Sequence, residues 1–175
     1  PATNTWTPVS TIGQPFAQPL VIGEQGFVAA DSGRLFIVDL VSGARLGYLQ
    51  FAQPLRTAPA VDRTNEHIYL VGDHSSVYSI VLKDLSCSGV YYLGHAEGSV
   101  TRSPAAVLDK LMVLENDGVE TSRLRLLSLG DGGAVGGQTA DRRLTGLASA
   151  APYVAGRRVV VITDRGQVDA YDIGA

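Results

Sequence analysis

Four aspartates, Asp31, Asp73, Asp117 and Asp164, recur at corresponding places along the chain, each followed closely by glycine or serine. Carboxylates repeated in this way could present a ring of acceptors to a cation or to a basic peptide. The same residue types also have a simpler use, because Asp before Gly or Ser caps its own turn by bonding to nearby backbone. Turn chemistry alone calls for them, and Asp39 and Asp172 take the same structural reading. Glu115-Asn116-Asp117-Gly118 begins like a calcium loop but lacks the spaced oxygen ligands and closing glutamate that such a loop needs, so we expect a hairpin turn. His67, His74 and His95 fall at no metal-binding spacing, and Cys87 is alone, which excludes an intrachain disulfide and a cysteine-based structural zinc site. The glycines of residues 130–137 come without the lysine and following helix of a phosphate loop, and no serine lies in a nucleophile elbow. Acid-base, metal and nucleophilic chemistry all lack a convergent set of residues.

The elements that position these side chains follow from composition and pattern. The 175 residues are 45% hydrophobic and only 18% charged, with 20 glycines and 8 prolines, which suits short strands joined by tight turns better than long surface helices. A net charge of −3 gives no electrostatic reason to bind nucleic acid or anionic lipid; Arg142-Arg143 and Arg157-Arg158 carry no interleaved aromatic residue. The longest apolar run, residues 159–162, is strand-sized, far short of a membrane span. The chain starts at Pro1 with neither an initiator methionine nor a signal peptide, which suggests a piece excised from a longer protein.

Pro19, Pro59, Pro104 and Pro152 each open one copy of a repeat and stand 40, 45 and 48 residues apart, the period of a four-stranded propeller blade. Behind each proline comes an apolar run, an acidic turn and a second apolar run. In the first copy Leu35, Ile37 and Asp39 alternate with Arg34, Phe36 and Val38, the period of a strand. The series Asp31-x-Gly33-x-Leu35-x-Ile37-x-Asp39 returns as Asp164-x-Gly166-x-Val168-x-Ala170-x-Asp172, and in both copies the acids lie 12 and 20 residues beyond the proline. Such spacing fixes the face of each side chain, since a one-residue slip inverts the strand. The fold class is therefore all-β: about four four-stranded antiparallel blades in a propeller-type array, within one domain over residues 1–175. The blades are expected at about 13–53, 54–98, 99–146 and 147–175, the last completed by residues 1–12. Val28, Leu35, Ile37, Leu70, Val71, Ile80, Val113, Leu126, Val161, Ile162 and Val168 should pack between blades. The glycine-dense residues 130–137 should be the loosest stretch.

Residues 28–43, Val-Ala-Ala-Asp-x-Gly-x-Leu-x-x-Val-Asp-x-x-Ser-Gly, resemble the repeat of the quinoprotein-like β-propellers, also called the PQQ-repeat family. The resemblance covers about residues 6–172. It is specific in copies one and four, moderate in two and weak in three, where the motif becomes Asn116-Asp117-Gly118-Val119. That family includes pyrroloquinoline-quinone dehydrogenases and non-enzymatic members such as the lipoprotein of the bacterial outer-membrane assembly machinery. The enzymes set an adjacent cysteine pair against the cofactor beside a calcium site; Cys87 stands alone, so the resemblance implies the non-catalytic branch, without a cofactor. It also implies an extracytoplasmic place, in the bacterial periplasm or cell envelope. Of the blade-edge tryptophans of the large dehydrogenases only Trp6 is kept, with Tyr48 and Tyr92 near the corresponding places.

Two functions follow as expectations. The first is a non-catalytic scaffold that docks a protein or peptide partner through its loop face, with no nucleic acid and no membrane insertion by this segment. The alternative is a partial or degenerate quinone-dependent dehydrogenase-like enzyme. Binding should map to the loops joining second to third strands and successive blades. The candidates there are Asp31, Arg34, Asp73, His74, His95, Glu97, Arg102, Asn116, Asp164 and Arg165, all expected to be exposed and none with a catalytic role. Residues 6–12 should pair with the strand over residues 167–172, or with its copy in a second chain. The strand count permits closure within four blades, and this is slightly favoured because one chain completes it; the count equally suits part of a seven- or eight-bladed ring, or two chains pairing into eight. Monomer and dimer both stay open.

Overall fold

The computed structural model describes residues 17–174. Alternating side chains and Gly-, Asp- and Ser-bearing turns produce four successive antiparallel meanders. The first blade is β1 (Leu20–Ile22), β2 (Gln25–Ala29), β3 (Arg34–Asp39) and β4 (Arg45–Gln50). The second is β5 (Ala60–Val61), β6 (His67–Val71), β7 (Ser76–Val81) and β8 (Ser86–Tyr92). The third is β9 (Ala105–Val107), β10 (Lys110–Asn116), β11 (Thr121–Leu129) and β12 (Val135–Thr145). The fourth has three described strands, β13 (Tyr153–Ala155), β14 (Arg158–Ile162) and β15 (Val168–Asp172). The protein is all-β, with the sheets arranged as a four-bladed propeller, as the repeat predicts. The expected pairing of residues 6–12 with β15 lies outside the described residues.

Register makes each inner strand two-sided. Phe27 pairs with Ile37 and Ala29 with Leu35, and these four point to blade two, where Ile68, Leu70, Tyr78 and Ile80 receive them. The alternate residues of blade two, Tyr69, Val71 and Val77, meet Leu111, Val113 and Leu127 of blade three. Met112, Leu114 and Leu124 then meet Val159 and Val161 of blade four. Three apolar inter-blade cores result; β6, β7 and β10 are buried on both faces, while β11 is buried at Ser122, Leu124 and Leu127 and half-buried elsewhere.

Two residues expected in those cores are not there. Ile162 is 42% exposed and Val168 is 62% exposed. They pair with one another across β14 and β15, on the side of blade four turned away from blade three. The period correctly assigns them to one face, but that face meets no blade among the described residues. Val28 and Leu126 are half-buried, while the other expected core residues are buried.

The glycine-rich segment also departs from expectation. Residues 131–133 form a 3-10 turn, and Gly136 and Gly137 belong to β12, the longest strand. Glycine serves close approach here. A Cβ on Gly133, whose φ is +73°, would lie 2.2 Å from Cδ2 of His67, whereas a Cβ on Gly132, at the same φ, would meet nothing. Gly33 is equally constrained: φ is +75°, and a Cβ would lie 2.6 Å from the Gln53 carbonyl oxygen. That contact explains the Asp-Ser-Gly turn better than flexibility does.

We therefore expect Gly132→Ala to cost about 1–2 kcal/mol, the penalty of a left-handed backbone with a side chain. Gly133→Ala should cost roughly 2–5 kcal/mol, because overpacking against the His67 ring adds to the same penalty. Urea denaturation of the two variants side by side checks this, and equal midpoints would contradict the packing.

Candidate functional site

All the β2–β3-type turns and all the blade-to-blade connections emerge at one end of the propeller, since each blade runs as a four-strand meander. The expected site residues lie at this end, and most of them are tied down. Arg56, on the connection between blades one and two, bonds Asp31 at 2.9 Å and Asp73 at 3.1 Å, joining the turns of the two blades. Its pKa is raised by the hydrogen bond to Asp31 and the field of Asp73. Asn116 bridges blades three and four: its Oδ1 accepts from the Ala148 N–H at 3.0 Å and its Nδ2 donates to Thr101 Oγ1. Arg102 Nε donates to the Ala148 carbonyl at 3.1 Å, and Asp164 Oδ1 accepts from the Leu147 N–H at 2.7 Å. Arg165 pairs with Glu120 across the blade-three and blade-four turns at 2.7 Å.

Two candidates are buried rather than exposed. Asp73 is covered because its backbone N–H reaches the Pro54 carbonyl while its carboxylate turns back to Arg56. His95 is fully buried between blades two and three, its Nε2 donating to the Gly72 carbonyl at 2.9 Å and its Nδ1 left without a partner. Close by in the same blade junction, Arg125 and Glu115 form a largely buried ion pair at 2.5 Å, and Arg125 also donates to the Leu93 carbonyl. Burial is the largest influence on His95 and lowers its pKa. Arg34 faces the side of blade one, donating to Gln50 Oε1 and lying 4.7 Å from the Tyr48 ring centroid. His74 and Glu97 are exposed at the loop end.

The opposite end carries a pair that spacing did not single out. His67 Nδ1 lies 2.8 Å from Asp62 Oδ2, and Asp62 also accepts from the Glu66 N–H. Burial opposes ionisation of Asp62, but the bonds from His67 and the backbone outweigh it and hold its pKa below the usual carboxylate value. Tyr69 behind it is pushed up to about 12 by burial and the Asp62 charge. Together with Arg63, Asp109 and the 3-10 turn they line a cleft of about 290 Å³. A histidine five residues after an aspartate across a β5–β6 turn was the available sequence signal. Among the described residues no three His, Cys, Asp or Glu side chains gather as a metal site, and no helix is long and apolar enough to cross a membrane.

No protein-family model and no curated protein matches the chain. Solved structures do. BamB from Moraxella catarrhalis is similar over 86% of this chain and 43% of its own, with 15% identity and a TM-score of 0.62. Hydrazine synthase of Kuenenia stuttgartiensis is similar over the same shares, with 16% identity and a TM-score of 0.65. The computationally designed Ika4 protein is similar over 93% of both chains, with 15% identity and a TM-score of 0.73. The chain thus spans less than half the length of the BamB and hydrazine synthase chains. At these identities the likeness is one of fold.

Two expectations follow. Arg56→Ala, which leaves the buried Asp73 carboxylate without its cation, should lower the melting temperature more than Arg165→Ala, whose pair is exposed; equal shifts would show that the first bridge adds nothing. The depressed His95 pKa means that the unfolded chain takes up a proton near pH 6.5 that the folded chain refuses. Its contribution is complete above pH 6.5 and is lost as pH falls towards the folded value. His95→Gln should flatten this decline in denaturant titrations between pH 8 and 5.

Proposed function

We propose that the chain is a non-catalytic β-propeller scaffold of the quinoprotein-like kind that holds a protein or peptide partner on its loop end. The observation that supports it most is the construction of that end. Side chains from neighbouring blades clamp the turns and connections to one another through Arg56, Asn116, Arg102 and Asp164. A surface so fixed loses little conformational freedom when it binds, which favours recognition by rigid loops. The groups that project from it, His74, Glu97 and the Arg165–Glu120 pair, are chemically mixed and suit polar contacts to a peptide. The fold shared with BamB and the repeat resemblance to the outer-membrane assembly lipoprotein support the same reading, together with a place in the bacterial envelope. Nine of the ten candidates divide under it: His74, Glu97, Asp164 and Arg165 offer contacts, while Asp31, Asp73, His95, Arg102 and Asn116 hold the platform in shape; Arg34 instead lies against Gln50 and Tyr48 at the side of blade one.

A photo-crosslinking residue at Glu97, compared with one at Lys83 on the opposite end, tests the placement in a bacterial envelope extract. We expect a discrete adduct from position 97 and none from 83; an adduct from 83 alone would overturn the loop-end assignment. Adding pyrroloquinoline quinone with calcium should leave the absorption spectrum of the quinone unchanged. A saturable spectral shift would instead favour the degenerate dehydrogenase.

A further inference from the structure

The cleft at the end away from the blade connections contains a polar group that the fold does not use. Tyr69 is only 1% exposed, its ring packed in the core between blades two and three. Its hydroxyl has no hydrogen-bond partner among the described residues, yet it lies in the field of Asp62, and Tyr69 lines the cleft. A phenylalanine would fill the same core without the cost of an unpaired buried hydroxyl, a cost that a ligand reaching the group would offset. Beside it His67 and the Glu66 N–H hold the Asp62 carboxylate in place. Glu66, Asp109 and Asp131 complete the acidic lining, and Asp131 is exposed with no ionic partner among the described residues. These four carboxylates face Arg63 and the Lys110 that pairs with Asp109, so the charge stays negative even with the His67 imidazole protonated. The wall formed by residues 130–133 has one side chain, that of Asp131; a Cβ on Gly132 would meet nothing, which leaves the backbone there open to approach.

We propose that this cleft binds a small organic cation through a primary ammonium group. An anion would meet charge of its own sign, and a neutral ligand would leave the negative field unused. A metal ion lacks its ligands, since no three His, Cys, Asp or Glu side chains gather among the described residues. A quaternary ammonium calls for the faces of aromatic rings, and the one tyrosine of the lining has its ring buried in the core. A primary ammonium has three donors and no acceptor, which matches a lining of carboxylates and one hydroxyl oxygen. The cleft volume of about 290 Å³ suits a compact ligand. A free amine and the side chain of a lysine present the same group, and probes of the two kinds separate them.

The test is titration of the 175-residue chain at low ionic strength, followed by NMR. The probes are butylamine, for a free amine, and Nα-acetyl-lysine amide, for a lysine side chain; butanol and tetramethylammonium are the controls. We expect saturable shifts at Tyr69, Gly132 and Gly133 with a Kd of about 1 mM or tighter for an amine, and none from either control. The tighter of the two amines identifies the source of the ammonium. No saturable shift by about 10 mM of either amine, or equal shifts with the controls, overturns the proposal. Tyr69→Phe should weaken amine binding by about 3- to 10-fold, the loss of one hydrogen bond, without lowering the melting temperature. Asp131→Asn, on the exposed rim, should weaken it by about 2- to 5-fold. Asp172→Asn, an exposed carboxylate of blade four, should bind as the parent does and so excludes a general effect of surface charge. A Tyr69→Phe chain that binds amine as tightly as the parent, or that melts well below it, would show that the hydroxyl serves the fold and not a ligand. These outcomes are independent of partner binding at the loop end.

Discussion

A four-stranded sheet has two faces, and in this chain both are apolar. That constraint organises everything else. Strands of five to seven residues bury too little on their own to hold a meander in water, so each blade needs a neighbour on either side. Blades two and three have one. Their inner strands accordingly read as near-continuous apolar runs, Ile68-Tyr69-Leu70-Val71 and Leu111-Met112-Val113-Leu114, with successive side chains buried against opposite neighbours. Blade four is less saturated: on β15, Asp169 and Tyr171 alternate with Val168 and Ala170. Its chemistry matches its position at the end of the series.

Packing sheets face to face leaves polar backbone at the ends of the strands, and this is where charge has been placed. The connections run over one end only, and there the turn residues serve two purposes. Asp31 sits in its own turn and also receives Arg56; Asp164 sits beside its turn and also accepts the Leu147 N–H. The sheets are thus held at their middles by dispersion and burial and at one end by directional bonds. The apolar contacts favour many rotations of one blade on the next, and the hydrogen bonds select among them. Such selection is what a binding surface made of several loops requires, because its geometry is the geometry of the rotation.

The elements were legible in the sequence because they depend on local rules. Period-two alternation and punctuating turns mark the strands of the first copy, and the repeat gives the blade. What the period cannot supply is the blade-to-blade rotation, so contacts made across junctions stayed hidden. Arg56 lies on a connection with no motif of its own, yet it bridges two of the aspartates that recur. Asp73 and His95 look like loop residues in sequence and are loop residues in space, but the neighbouring blade closes over them. Glu115, expected in a turn, lies on β10 diagonally across the hairpin from Arg125, and burial joins the two into a pair. Composition misled in the glycine-rich segment, where scarcity of side chains signals a near neighbour, the His67 ring, rather than freedom.

The two ends of the propeller consequently differ in kind. At the end away from the connections, the Asp62–His67 pair is made within one turn, and the 3-10 turn of blade three rests against it through Gly133. Among the described residues, packing alone joins the blades there. At the connection end charged and polar side chains reach from blade to blade, and the exposed residues sit on a frame that cannot shift one turn without disturbing the next. Asp62 could lose its partner and leave the rotation of the blades in place, whereas Arg56 could not be lost without freeing two turns at once. Recognition that depends on several turns held in fixed relation belongs at the second end.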